Sequence, residues 1–394
     1  MPLVSLGVAF LLACALVLLF KRIGQSSIVA CLAAGVLLQV GALVEETEHA
    51  ITRSDMQEFG ILLLLFMAGL ESDLGLLRRD WKLVSITGLG QIILNLAAAV
   101  ALGWGLASVG WIDLADWKAV LIFGLCLTLS STVVVLGLLR AHRAMGSRYG
   151  QAIVGLMVLQ DLVAVIALSL LGINEGGHAA PAAHPFLRML VDLVGVSLAM
   201  LVAGRTLLPW VLPRIEHDES LLLLGAIGWC AAVAGFSELI GFPASIAAFL
   251  AGVALSETPQ KHAIAPRIEP LKTVGLTIYF IYVGFSLELE AFQPAMLAPI
   301  AFGVALIVAG RPFLMRVLGH WGGLDVRGAR RFGVTINQGS EFAMILAAAA
   351  VSAQIFPTET FLVIVLISVV SLVVGAWTHE RGEQKLATQS ADSA

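Results

Sequence analysis

The chain has 394 residues, 59% of them hydrophobic and only 13% charged, with a formal net charge of −4. Soluble domains carry about a quarter charged residues, so a mean hydropathy of +0.95 excludes a water-soluble globular protein. Apolar runs recur from Leu3 to Trp377, each of roughly the 20 residues that carry a helix across a ~30 Å hydrocarbon core. The alternating ~10-residue strands of a membrane β-barrel are absent.

The expected fold class is an all-α polytopic membrane protein, because a helix satisfies its own backbone hydrogen bonds in lipid. Spans are predicted at 3–20, 27–44, 58–71, 84–109, 118–139, 150–172, 188–213, 219–237, 241–257, 271–287, 294–318, 332–353 and 357–378. The third and ninth are short, which leaves twelve spans as an alternative. Lys21 and Arg22 follow the first apolar run instead of preceding it, unlike a secretory signal. Loops after odd-numbered spans hold seventeen Lys and Arg residues, those after even-numbered spans only Arg53, Lys118 and Arg188. That asymmetry puts the N-terminus outside and the C-terminus in the cytoplasm of a cell (inner) membrane, and it supports thirteen spans. Cys14, Cys31, Cys126 and Cys230 fall inside spans without metal-ligand spacing and read as small buried hydrophobes.

Six spans, a linking seventh and six more place two halves in opposite orientations, the arithmetic of an inverted repeat. Spans 5 and 12 correspond under that plan, and both carry a polar interruption. Span 5 reads "LCLTLSSTVVVLGLL", with Thr128, Ser130, Ser131 and Thr132 at its centre. Span 12 reads "GVTINQGSEFAMILA", with Asn337, Gln338, Gly339, Ser340 and Glu341. Matching interruptions point to two discontinuous helices crossing at a substrate site. The alternative for span 5 is that its hydroxyls bond back to their own helix carbonyls.

An ionised side chain at the bilayer centre costs ~2.5–3.5 kcal/mol on insertion scales, so such residues tend to face cavities and work. Asp161 in "LMVLQDLVAVIALSLL" is the sharpest case. Loss of water disfavours its ionised form while a nearby donor or cation favours it, so it can hold a proton or a monovalent cation in turn. A neutral carboxylic acid tying helices together is the alternative. Gln160 beside it can offer an amide oxygen to a cation or bond between helices. Arg311 in "LIVAGRPFLM" supplies fixed charge that does not titrate, unless it snorkels to an interface as Arg316 is expected to do. Glu71, like Glu238 and Glu257, lies at a span end, where capping and loop contacts are expected. His262 and the other histidines lack metal spacing, and no glycine-rich nucleotide loop or catalytic triad is present. No enzyme activity, cofactor or nucleic-acid partner is expected.

At these residues the sequence resembles the membrane domain of Kef-type potassium/proton antiporters, within the monovalent cation–proton antiporter superfamily. The motifs are "LTLSSTVVVLGLL", "LMVLQDLVAVIALSLL", "FPASIAAFLAGVALSE", "FIYVGFSLELE" and "NQGSEFAMIL", in order between about Gly24 and Trp377. The resemblance implies a thirteen-helix antiporter domain over 1–378, working as a homodimer, with a short polar tail at 379–394. A core domain (about 84–172 and 294–378) would slide against a dimerisation domain made of the other helices. It implies an ion and proton site at Asp161 with Gln160, Thr128, Ser130 and Ser131, and Arg311, Gln338, Ser340 and Glu341 as core polar residues. Kef proteins continue into a glutathione-responsive nucleotide-binding domain. Here such a regulatory part is expected either to have been removed by truncation, to act in trans as a separate subunit, or to be missing as in shorter ungated relatives. The cytoplasmic loop has Ala265-Pro266-Arg267 where that family carries an acidic pair, so glutathione gating is not expected.

The expected function is electroneutral exchange of K+ for H+, with Asp161 binding each by turns. Na+/H+ exchange on the same scaffold stays open as an alternative, as does, from another class, a channel or ion-sensing receptor without coupled exchange.

Overall fold

The computed structural model describes residues 2–40, 54–71, 81–114, 116–172, 185–239 and 242–391, and all regular structure among them is helical. Among the described residues seven segments are long and apolar enough to cross a membrane: 81–108, 117–141, 148–168, 198–215, 219–239, 294–321 and 358–379. Shorter apolar helices cover 27–40, 59–71, 244–256 and 341–352. Large apolar side chains face outward along them, among them Ile93, Leu224 and Phe313. Water would penalise such a surface and lipid does not. Trp81, Trp117 and Trp321 stand exposed at helix ends, where an amphipathic ring suits a headgroup layer. Cys31, Cys126 and Cys230 are buried as expected, but Cys14 faces outward, since a thiol on a lipid-facing stripe meets no penalty.

The chain forms two compact units. The first comprises residues 1–11, 34–73 and 165–285. Its helices include α3 (Ser54–Glu71), α8 (Pro185–Ile215), α9 (Glu219–Leu239), α10 (Ala244–Ser256) and α11 (Lys261–Phe285). Here α3 packs on both α10 and α11, and α10 also touches α8 and α9. Backbones approach closely because glycines face each other. A Cβ on Gly60 would lie 2.8 Å from the Gly275 Cα, and one on Gly252 only 2.1 Å from the Phe66 carbonyl oxygen. Small residues let membrane helices gain dispersion contacts that apolar area alone cannot supply in lipid.

The second unit comprises residues 12–33, 74–164 and 286–394. It contains α4 (Trp81–Ser108), α5 (Trp117–Thr128), α6 (Thr132–Ala141) and most of α7 (Arg148–Gly172). From the C-terminal part come α12 (Leu297–Ala305), α13 (Arg311–Trp321), α14 (Val326–Thr335), α15 (Glu341–Ser352) and α16 (Thr358–Ala391). The helices α1 (Pro2–Arg22) and α2 (Ser27–Val40) each contribute to both units.

Two passages in this unit are interrupted where the sequence turns polar: between α5 and α6, and between α14 and α15. The backbone is extended at Leu129 and at Ser340. Each second half starts on a serine cap, Ser131 Oγ accepting from the Val134 N–H at 3.2 Å and Ser340 Oγ from the Phe342 N–H at 3.0 Å. Such a cap is worth about 1 kcal/mol and fixes where the helix resumes. α5 packs on α15 while α6 packs on α14, so the half-helices cross. α4 lies against α5, and α13 lies against both α4 and α14. Leu136, Leu156, Met315 and Phe332 form part of the apolar core beside the crossing.

A five-residue π-turn, Leu306–Gly310, joins α12 to α13. The Arg311 N–H bonds to the Leu306 carbonyl, five residues back. Pro312 follows and has no N–H to give, the usual chemistry of a local irregularity in a helix.

Candidate functional site

Breaking a helix inside a membrane strands carbonyls and amides that lipid cannot satisfy. At the first break those groups find side chains. The Leu127 carbonyl accepts from Asn95 Nδ2 at 3.3 Å and from Arg311 Nη2. The Thr128 carbonyl accepts from Gln91 Nε2 at 3.0 Å. The Ser130 N–H donates to Gln160 Oε1 at 2.9 Å, and Gln160 Nε2 donates to Gln91 Oε1 at 2.9 Å. Gln91, Asn95, Thr128, Ser130 and Gln160 are all buried.

At the second break the Gln338 and Ile336 carbonyls accept from Arg311 Nη1 at 2.8 and 3.5 Å. The Gly339 N–H donates to Ser371 Oγ at 2.9 Å, and Asn337 Nδ2 donates to Thr378 Oγ1 at 2.7 Å, so α16 pins this break. Both amide atoms of Gln338, and Asn337 Oδ1, are buried without a hydrogen-bond partner in the protein. The second break therefore has polar capacity to spare.

The charges sort by helix end. Arg311, fully buried, sits at the C-terminal carbonyls of both α5 and α14 and also donates to Ser130 Oγ at 2.8 Å. Glu341, also fully buried, opens α15 and accepts from the Val133 N–H in the first turn of α6 at 3.4 Å. A cation thus meets two negative helix ends and an anion two positive ones, each in its favourable place. The snorkelling alternative for Arg311 is excluded by its burial.

Asp161 is 4% exposed, and its Oδ1 accepts from Thr132 Oγ1 at 3.1 Å. Consecutive residues of α7 therefore reach both ends of the first break, Gln160 at Ser130 and Asp161 at Thr132.

The structure brings together Asp161, Gln160, Thr128, Ser130, Ser131, Arg311, Gln338, Ser340 and Glu341 around the crossing. Some occupy positions other than those expected. The Gln160 oxygen, open between facing a cation and bonding between helices, accepts from the Ser130 N–H. The Thr128 hydroxyl bonds back to the Gly124 carbonyl at 2.8 Å, leaving its main-chain carbonyl as the group turned to the network. Ser131 and Ser340 serve as helix caps. Glu71 ends α3 in the first unit and is half-buried. Gln91 and Asn95, which the sequence did not single out, carry contacts here, as does Thr132 at the centre of span 5. The signal for the first two was present in "GLGQIILNLAAA": amides four residues apart fall on one helix face. Among the described residues no group of three or more His, Cys, Asp or Glu could hold a metal ion. The available oxygens are those of Asp161, Thr132 and the break, a donor set for a hard cation.

The model of the transmembrane sodium/hydrogen exchanger family matches residues 7–380. The chain belongs to the sodium/hydrogen exchanger family. With its apolar helices, membership makes it a multi-pass membrane protein. YbaL of Escherichia coli, a relative named as a cation/proton antiporter, is 31% identical over 363 residues, covering 86% of this chain and 61% of that one. A glutathione-regulated potassium-efflux system protein, KefC of Cronobacter sakazakii, is 29% identical over 347 residues, covering 86% of this chain and 53% of that one. The Kef-type resemblance is upheld by both, and the chain spans between half and two thirds of their lengths. The sodium proton antiporter MjNhaP1 of Methanocaldococcus jannaschii shares the fold, with a TM-score of 0.72 at 14% identity over 97% of this chain and 98% of that one.

Proposed function

We propose that this exchanger-family member swaps a monovalent cation, K+ foremost, for a proton, one for one and without net charge movement. The observation that carries the reading is Asp161, a carboxylate 4% exposed and held by Thr132 at a helix break. Arg311 directs its amino groups to carbonyls and to Ser130, so the fixed cation of the site serves the helix ends. A carboxylate in that setting is stable with a proton or with a cation. The two ions compete for it, and movement of the core domain, about 84–172 and 294–378, would carry whichever is bound.

The reading includes thirteen passes, counting α5–α6, α12–α13 and α14–α15 as one each, in two inverted sets of six around α8. It places the chain in a cell (inner) membrane as a homodimer through the helices outside the core, N-terminus outside and C-terminus cytoplasmic. K+ is put first because the resemblance and the KefC relative both lie on the potassium side, and Na+ is the rival ion.

Purified protein in proteoliposomes tests this by dissipation of an imposed pH gradient on adding K+, Na+, Rb+ or Li+. The parent should respond to K+ most strongly and should not respond to an imposed potential. Asp161→Asn should be inactive while melting within a few degrees of the parent. Exchange that survives in Asp161→Asn refutes the site. A parent driven more strongly by Na+ reassigns the ion. Potential-driven flux means that a second acid such as Glu341 also titrates, and flux far above carrier rates without proton coupling means a channel.

A further inference from the structure

The geometry points to Gln91 as a positioning residue of the exchange site, acting through Gln160 to set the first break where Thr132 can serve Asp161. The inference rests on the exchanger reading above and assigns a part of its cation binding.

An unbroken helix would pair the Thr128 carbonyl with the residue 132 N–H and the Ser130 N–H with the residue 126 carbonyl. The break undoes both. In their place the Ser130 N–H donates to Gln160 Oε1 at 2.9 Å, Gln160 Nε2 donates to Gln91 Oε1 at 2.9 Å, and Gln91 Nε2 donates to the Thr128 carbonyl at 3.0 Å. Two carboxamides from α4 and α7 thus form a relay between an amide and a carbonyl two residues apart.

The relay has only one sense. A backbone N–H can only donate and a carbonyl can only accept, so the terminal groups dictate which way each amide faces. With Gln91 in place, the Gln160 oxygen must point at Ser130. Without Gln91, Gln160 Nε2 loses its main acceptor and keeps only longer contacts to the Thr128 carbonyl at 3.4 Å and Ser130 Oγ at 3.5 Å, so the Ser130 N–H bond alone is left to fix the direction of the amide. Ser130 is then held less firmly, and two residues on lies Thr132, whose hydroxyl is 3.1 Å from Asp161 Oδ1. Gln160 therefore shapes cation binding through the backbone it holds, and Gln91 fixes the direction in which it holds it. Both side chains are buried at 1% exposure or less, so water offers no substitute partner.

The test compares Gln91→Leu, Gln160→Leu and the double variant in proteoliposomes. Initial proton flux is measured against K+ and Na+ concentration at fixed pH, with a melting curve for each protein. Each single variant should raise the cation KM about tenfold, the scale of one buried hydrogen bond, at a maximal rate close to the parent's. The double variant should be no worse than the poorer single, because both break one relay. An unchanged KM, additive effects, or a rate that falls only in step with melting temperature overturns the inference. Where Gln91→Leu does not fold, Gln91→Met keeps most of the volume but offers neither the acceptor for Gln160 Nε2 nor the donor for the Thr128 carbonyl. A raised KM there supports the relay, and an unchanged KM or failure of this variant too to fold overturns it. A parent without any cation-driven proton flux refutes the exchanger reading itself, an outcome separate from parent exchange that Gln91 variants leave untouched.

Discussion

The two units bury very different chemistry. Among the described residues, the first hides Ser237, Thr258 and, at 9% exposure, Lys272 as its buried polar or charged side chains. Its hydroxyls turn back locally, Ser237 Oγ to the Ala234 carbonyl at 2.6 Å and Thr258 Oγ1 to the Leu255 carbonyl at 2.7 Å. The second hides Arg311, Asp161, Glu341 and a set of amides that bond across tens of residues of sequence. One unit is joined by backbones in close approach, the other by polar groups completing a broken backbone. Close packing tolerates no added volume, and a polar framework tolerates no missing partner. The same size of substitution should therefore fail for opposite reasons in the two places.

Removing a partner in the second unit should have the largest effect. Arg311→Met keeps much of the volume but takes the Arg311 donors from the Ile336 and Gln338 carbonyls in a dry interior, and leaves the Leu127 carbonyl to Asn95 and Ser130 Oγ to a long contact with Gln160. A loss of about 3–5 kcal/mol is expected, as for a buried charge site broken from one side, with exchange abolished. Arg311→Lys should recover part of it, since one ammonium lacks the reach of a planar fork across both helix ends. Melting in detergent together with flux assays checks this, and parent-like melting of Arg311→Met would remove the contrast between the units.

Adding volume in the first unit comes next. Gly252→Val places a branched side chain where even a Cβ would lie 2.1 Å from the Phe66 oxygen and 2.7 Å from the Leu70 nitrogen. The α3 and α10 backbones must separate, at about 1–3 kcal/mol for an overpacked core. The melting temperature should fall, and no pH or cation adjustment should restore it. The smallest effect is expected from Trp229→Phe. It removes the bond from Trp229 Nε1 to the Ala251 carbonyl at 3.1 Å while keeping most of the apolar contact, and should cost about 1 kcal/mol. A larger loss there would mean that polar contacts matter to the first unit as well.

Much of this was legible in the sequence. The spans are dictated by lipid, which leaves the chain few alternatives, and the breaks announce themselves as Ser130-Ser131 and as Asn337 to Ser340 inside apolar runs. Asp161 stands out for the same reason. The contacts of Arg311 were not legible, because its partners are largely main-chain carbonyls, and a carbonyl leaves no mark in a sequence. The Gln91–Gln160 pair spans 69 positions and joins two ordinary-looking amides. The direction in which Gln160 faces follows from the break geometry, which residue types alone do not determine.

The π-turn at Leu306–Gly310 has a bearing on where Arg311 can point. Pro299, Gly303, Ile307, Arg311, Met315 and Gly319 are all buried, a strict four-residue beat along one face. In a regular α-helix each such step overshoots by about 40°, so five steps would wander about 200° around the axis. A turn with one residue extra takes back roughly half of that drift. The local irregularity thus works as a vernier, letting a guanidinium in mid-membrane stay in phase with the proline and glycine that begin and end its row.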